Sequence, residues 1–283
     1  MAKVVFKPVG GSGINLRDFD IRRLTDYDAS ALKTQTAKFF DSNKEFTLFT
    51  GTGFKYKAVG GEVRDVTGGT VTKIEVMING VKALLTTGVK LAASKVFDLY
   101  VDGDADGALK YMLSGNDTVI GTRFSDVLFA AKGKDTVKGG AGNDTLMGEA
   151  GNDILKGDAG RDKLIGGIGK DKLFGGAGPD TFVFASTKDS AVGPKGRDTI
   201  EDFSRSQKDK IDLKAIDADS GSRGNQAFDF IGTSKFSKEA GELRYEKKGG
   251  DSFVYGDVNG DGRADFAIHV DANISFVKGD FLL

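Results

Sequence analysis

A chain of 283 residues with 39% hydrophobic content, net charge −1 and no cysteine is long enough for about two soluble domains and does not rest on disulfides. Its 40 basic and 41 acidic residues nearly cancel, and bases do not interleave with aromatics, which argues against nucleic acid as a partner. No apolar run is long enough for a membrane helix, mean hydropathy is −0.25, and the start MAKVVFKPVGG lacks the apolar stretch of a secretory signal peptide.

Residues 1–113 read as a β-rich (α+β) domain. Alternating stretches at Phe46 to Phe49, Phe54 to Val59 and Val71 to Ile78 predict strands, with turns at the glycine pairs Gly60-Gly61 and Gly68-Gly69. In residues 91–101, Leu91, Val96, Leu99 and Tyr100 fall at near-helical spacing and predict a helix leading into the next region. Nothing in this stretch assigns chemistry; its aromatics read as core.

The chain then changes character. Asp117, Asp126, Asp135, Asp144, Asp153, Asp162, Asp171 and Asp180 stand at an unbroken spacing of nine, and two residues after each lies an apolar side chain, from Val119 and Leu128 through to Phe182. A short fixed period means one structural unit stacked on itself. In the clearest copies, glycines occupy positions one, two and four: Gly139, Gly140 and Gly142; Gly148 and Gly151; Gly157 and Gly160; Gly166, Gly167 and Gly169; Gly175, Gly176 and Gly178. They allow a tight turn that aims carbonyl oxygens at one spot. The aspartate at position six adds a carboxylate there, and positions seven to nine alternate out, in, out as a short strand with only position eight buried. Each unit makes half a coil, so every second repeat stacks, with Asp117, Asp135, Asp153 and Asp171 on one edge and the other four opposite.

Stacked carboxylates repel unless a cation lies between adjacent loops. A site of carboxylates and carbonyls suits a hard ion taking six or more oxygens, hence several calcium ions rather than magnesium; zinc is disfavoured in a chain with one histidine, His269. The copy at Gly121 has Thr122 and Phe124 in place of glycines, and the next has Ala130 and Ala131, so these first copies read as a cap. Ten acids face nine bases within 114–185. The bases fall mostly at outward positions, as charge balance on a solvated face or a weak patch for anionic surface polysaccharide.

The nonapeptide resembles that of the RTX (repeats-in-toxin) proteins of bacteria, which implies a calcium-binding β-roll. Residues 186–283 resemble the C-terminal part of the serralysin group: Arg197-Asp198-Thr199-Ile200-Glu201-Asp202-Phe203 and Asp209-Lys210-Ile211-Asp212-Leu213 match its signatures, and the resemblance implies Asp198 and Asp202 as ligands of a calcium closing the roll. Asp257, Asn259, Asp261 and Asp265, with Gly262 at position six, form most of an EF-hand-like loop without the acid at position twelve, where Ile268 stands. The ending Asp280-Phe281-Leu282-Leu283 looks like the tail of RTX substrates of the type I secretion apparatus, implying leaderless export to the calcium-rich exterior of a bacterium.

No HExxH, GxSxG, phosphate-binding loop or dinucleotide fingerprint is present. The expected fold is all-β, a parallel β-roll over 114–185 between an N-terminal β-rich domain, 1–113, and a β-rich cap, 186–283. The expected function is that of a secreted, non-catalytic calcium-binding protein acting in adhesion or in contact with matrix or cell envelope. The alternatives are a glycan hydrolase in residues 1–113 and a membrane-inserting protein.

Overall fold

The computed structural model describes residues 2–6, 28–33, 36–42, 45–59, 62–78, 81–92 and 113–283. Among them the chain is all-β, and its centre is the roll.

Strands β1 (Ala2–Phe6), β2 (Asp28–Lys33), β3 (Thr36–Ser42), β4 (Glu45–Val59), β5 (Glu62–Ile78) and β6 (Val81–Ala92) form an antiparallel array in the order β1-β6-β5-β4-β3-β2. The three strands expected here lie within β4 and β5. Gly68-Gly69 is not a turn, however: β5 runs through it, and the register against β4 shifts where Lys55 pairs with Gly68. Glycine inside a strand has no side chain to pack and marks an irregularity instead of ending the strand. The helix expected over 91–101 is overruled at its start, because Leu91 and Ala92 pair with Val71 and Thr70 as the end of β6. Cross-strand pairing there outweighs a weak helical spacing. Residues 93–101 lie outside the described residues.

The repeats make two parallel sheets. β7 (Asp117–Ile120), β10 (Thr136–Ala141), β12 (Ile154–Ala159) and β14 (Lys172–Ala177) build the first, continued by β16 (Thr199–Ile200). β8 (Val127–Phe129), β11 (Thr145–Gly151), β13 (Lys163–Gly169) and β15 (Thr181–Val183) build the second, continued by β17 (Lys210–Asp212) and closed by β22 (Phe281–Leu282), with the two-residue β9 (Lys132–Gly133) beside β11. Position eight forms two inward columns, Val119-Val137-Leu155-Leu173-Ile200 and Leu128-Leu146-Leu164-Phe182-Ile211, all at 0% exposure. Full burial of such a side chain stabilises by roughly 1.5–3 kcal/mol, so the stack supplies the roll's apolar cohesion. One expectation is corrected: position nine is also buried at Phe129, Met147 and Val183. In those copies it is apolar, and Phe129 and Met147 belong to the core cluster.

The cap adds β18 (Asp229–Gly232), β19 (Glu242–Lys248), β20 (Asp251–Asp257) and β21 (Phe266–Val270) to the first sheet through a parallel β16–β21 pair. Aromatic contacts Phe182–Phe203, Phe203–Phe276 and Phe276–Phe281 carry the core past the last repeat. Arg205 holds Asp280 through both guanidinium and carboxylate groups, its Nε lying 2.9 Å from Oδ1, so the chain's final strand is fixed to the roll. At the opposite end, β1 lies between β6 and β7, antiparallel to the first and parallel to the second.

Candidate metal centre

Each repeat places its aspartate at the start of a strand, and the parallel register then stacks the aspartates. The backbone N–H of each one donates to Oδ1 of the aspartate one coil on. Along the first edge Asp117, Asp135 and Asp153 donate to Asp135, Asp153 and Asp171 at 2.6, 2.8 and 2.7 Å. Along the second, Asp126, Asp144 and Asp162 donate to Asp144, Asp162 and Asp180 at 2.7, 2.8 and 2.9 Å. One oxygen of each acceptor is thereby used as a rivet between coils.

The other oxygen is not. Oδ2 of Asp135, Asp144, Asp153, Asp162, Asp171, Asp180 and Asp198 is buried without a hydrogen-bond partner. A buried carboxylate oxygen left unmatched is costly, and a column of them demands an explanation. Burial is the main cause that raises Asp135, Asp144, Asp153, Asp171 and Asp180 from 3.8 to about 7; neighbouring carboxylates of the column add to it at Asp135, Asp144, Asp153 and Asp180, and the Asp189 charge adds to it at Asp171. Asp162 is raised by burial and then by the Asp158 charge.

The first glycine of each loop shows what surrounds Oδ2. A Cβ at Gly139 would overlap Asp144 Oδ2 and crowd the Gly157 carbonyl oxygen; one at Gly157 would overlap Asp162 Oδ2 and lie 2.5 Å from Gly175 O; one at Gly148 would lie 2.6 Å from Asp153 Oδ2 and 2.5 Å from Gly166 O. A Cβ at Gly166 or Gly175 would overlap the carboxylate of Asp171 or Asp180. At Gly139, Gly148 and Gly157 a side-chain oxygen and a main-chain oxygen from the next coil therefore converge beside a position that only glycine leaves open.

Positions two and four bring the coils together: a Cβ at Gly140, Gly167 or Gly176 would overlap the carbonyl of Thr122, Glu149 or Asp158, and one at Gly142, Gly151, Gly160, Gly169 or Gly178 the backbone one coil back. Position two is left-handed even where it is not glycine, at Ala131, Glu149 and Asp158, with φ of 69°, 69° and 71°. Such residues carry backbone strain that the stacked fold must overcome.

Among the described residues no three His, Cys, Asp or Glu side chains converge to hold an ion by themselves. The donor set is thus one carboxylate per loop plus carbonyls, all hard oxygens, which fits calcium. When bound there, the ion supplies positive charge between coils and nothing else is asked of it.

The remaining residues singled out in the sequence divide by their partners. At Asp126, in the degenerate copy, Oδ2 accepts the Thr122 N–H at 2.6 Å. Asp198 takes the ladder position above Asp171, at 2.8 Å. Asp202 spends both oxygens on the N–H groups of Gly175 and Gly176, at 2.8 and 2.9 Å. In the loop at 257–265, Asp257 accepts from Gly260 and Gly262, Asp261 N–H donates to Asn259, Arg263 N–H donates to Asp261, and Asp265 accepts from Val258 N–H and Asn259 Nδ2. These bonds close the loop on itself, separate from the column of the roll.

Asp209 was not among the candidates, yet it accepts the Asp180 N–H at 3.0 Å and so extends the second ladder. Its signal is legible in hindsight. Asp198-Thr199-Ile200 and Asp209-Lys210-Ile211 both repeat the aspartate-x-apolar triad of the nonapeptide; Asp198 keeps the count of nines, two periods after Asp180, and Asp209 breaks it.

Residues 112–283 match the family model described as Peptidase M10 serralysin C terminal. No curated protein matches the chain. Among solved structures, the AlgE6R3 subunit of the Azotobacter vinelandii mannuronan C5-epimerase is 26% identical, with 60% of this chain and 78% of that chain covered and a TM-score of 0.32. The AlgE6R2 subunit of the same enzyme is 23% identical, with 58% and 91% covered and a TM-score of 0.30. Unmatched buried carboxylate oxygens, glycine-gated oxygen cradles and a family match over most of the chain lead to one statement: this protein belongs to the serralysin C-terminal family of peptidase M10, an RTX-type calcium-binding β-roll.

Proposed function

We propose that this chain is a secreted, non-catalytic calcium-binding protein whose roll folds when it meets calcium outside the cell, and that it serves adhesion or contact with surface polysaccharide, matrix or envelope. The observation that carries the reading is the column of buried, unmatched Oδ2 atoms, those of Asp144, Asp153, Asp162, Asp171 and Asp180 each beside its own loop's first glycine. The proposed ligands are the loop aspartates and glycine carbonyls from Asp135 to Asp180, joined by Asp198; the loop at 257–265 is a candidate for a further ion.

At submicromolar calcium the carboxylates stay unneutralised and the roll is opposed. About 1 mM calcium acting on sites with dissociation constants of about 0.1–1 mM stabilises the fold by roughly 0.4–1.4 kcal/mol per ion. Several ions together rival the whole stability of a domain, about 5–15 kcal/mol. A chain that is unfolded inside and folded outside suits export through a type I apparatus, because folding at the exit opposes return.

Circular dichroism of the full chain during a calcium titration tests this. Strand signal from the roll should appear between about 0.1 and 1 mM calcium and vanish on chelation. A spectrum and melting point indifferent to chelator would refute it.

A further inference from the structure

The eight loop aspartates make up most of the acid in residues 114–185, where ten acids face nine bases. All eight are buried, at 4% exposure or less. The two acids left over, Glu149 and Asp158, are exposed, and so is every base there except the half-buried Lys156. Charge in the roll is therefore sorted by depth, with carboxylates lining the interior columns and bases facing water. The near-balance of the sequence conceals a basic coat over an acidic interior.

Three of these bases share the outer face of the first sheet. Lys138 on β10 and Lys156 on β12 stand in register, their backbones about 4.8 Å apart. Like charges side by side across strands are destabilising. Among the described residues neither has an acidic partner; Lys156 instead lies over the Phe174 ring, its Nζ 4.9 Å from the centroid. Lys172, on the next strand, meets Glu201 at 2.6 Å. Thr118 and Thr136 stand in register on the same face, both half-buried.

We propose that this face binds an acidic polysaccharide once the columns hold calcium. The inference rests on the reading that the roll folds around calcium at a cell surface, and it names the partner's chemistry and the place where it docks. With the columns filled, the buried carboxylates are neutralised, and nine bases stand against two acids at the surface. A polyanion then meets an uncompensated positive field. Empty columns leave eight carboxylates close beneath the coat, and the field largely cancels. The ammonium groups suit the carboxylate or sulfate groups of such a chain, and the threonine hydroxyls suit its sugar hydroxyls. A lipid surface would need apolar anchors, and among the described residues the large ones that are exposed, Ile168, Val192 and Val277, lie off this face.

Binding of the full chain to immobilised dextran sulfate in about 1 mM calcium, with uncharged dextran as the control, tests this. Wild type should bind the sulfated polymer and not dextran, and either added salt or chelator should release it. Lys138→Gln with Lys156→Gln should weaken binding about fivefold while the calcium-dependent circular dichroism stays as in wild type. Lys163→Gln with Lys235→Gln, on the second sheet and in the cap, should change binding by less than about twofold. Equal binding of dextran, unchanged affinity in the Lys138 and Lys156 variant, or preference for anionic vesicles or DNA over dextran sulfate would each overturn the proposal. A calcium-folded chain that ignores dextran sulfate sinks the proposal alone, whereas a strand spectrum indifferent to calcium sinks the calcium reading and the proposal with it.

Discussion

Asp153→Asn should stabilise the metal-free roll, and calcium should reduce that gain. Asp153 uses Oδ1 to accept the Asp135 N–H at 2.8 Å, and an asparagine oxygen can keep that bond. Its Oδ2 is unmatched and lies beside Gly148 and the Gly166 carbonyl, where an amide NH2 would instead meet an acceptor. Burial raises this carboxyl from 3.8 to about 7, so holding it ionised at pH 8 costs at most about 4 kcal/mol, and about 1–2 kcal/mol once solvent screening is allowed for. In chelator the variant should therefore gain about 1–2 kcal/mol. In about 1 mM calcium the variant also forgoes the roughly 0.4–1.4 kcal/mol that the ion contributes, so its gain should shrink by that amount. Urea unfolding followed by circular dichroism, with calcium and with chelator, reads both. An equal shift under both conditions would refute the argument that this carboxylate is retained for a cation.

Two further outcomes follow from the same column. Because Asp135, Asp144, Asp153, Asp171 and Asp180 are raised to about 7 when folded, the metal-free roll binds more protons than the unfolded chain. Its stability is greatest below about pH 4, falls through the window up to 7 and is flat above. In chelator, strand signal should be stronger at pH 5 than at pH 8; the reverse order would sink the assignment. Gly157→Ala places a Cβ onto Asp162 Oδ2 and Gly175 O, whereas Gly193→Ala meets nothing within 4 Å. The first should cost about 2 kcal/mol or more in calcium and the second within about 0.5 kcal/mol, and equal effects on the melting temperature would contradict the cradle.

The roll was legible in the sequence because a parallel coil repeats its chemistry at every level: Asp153 and Leu155 predict the placement of Asp171 and Leu173 with no knowledge of the rest. Legibility failed where the period did. Asp209 continues the second ladder 29 residues after Asp180, and no count of nines reaches it. The burial of Phe129 and Met147 depends on what packs over a sheet, which alternation along one strand does not encode. Gly68-Gly69 shows the converse, since a strong local turn signal yielded to pairing along the whole of β5.

Strand β1 pairs Ala2 with Asp117 on one side and Lys3 with Thr87 on the other. It is a seam whose two flanks belong to distant parts of the polypeptide. Contacts that span so much chain form late, after the loops between them have closed. Strand β1 must therefore wait until the opening coil exists before it can be stitched in, and among the described residues the antiparallel array joins the roll through it. Whatever task that array performs inherits, through this strand, a dependence on the folding of the roll.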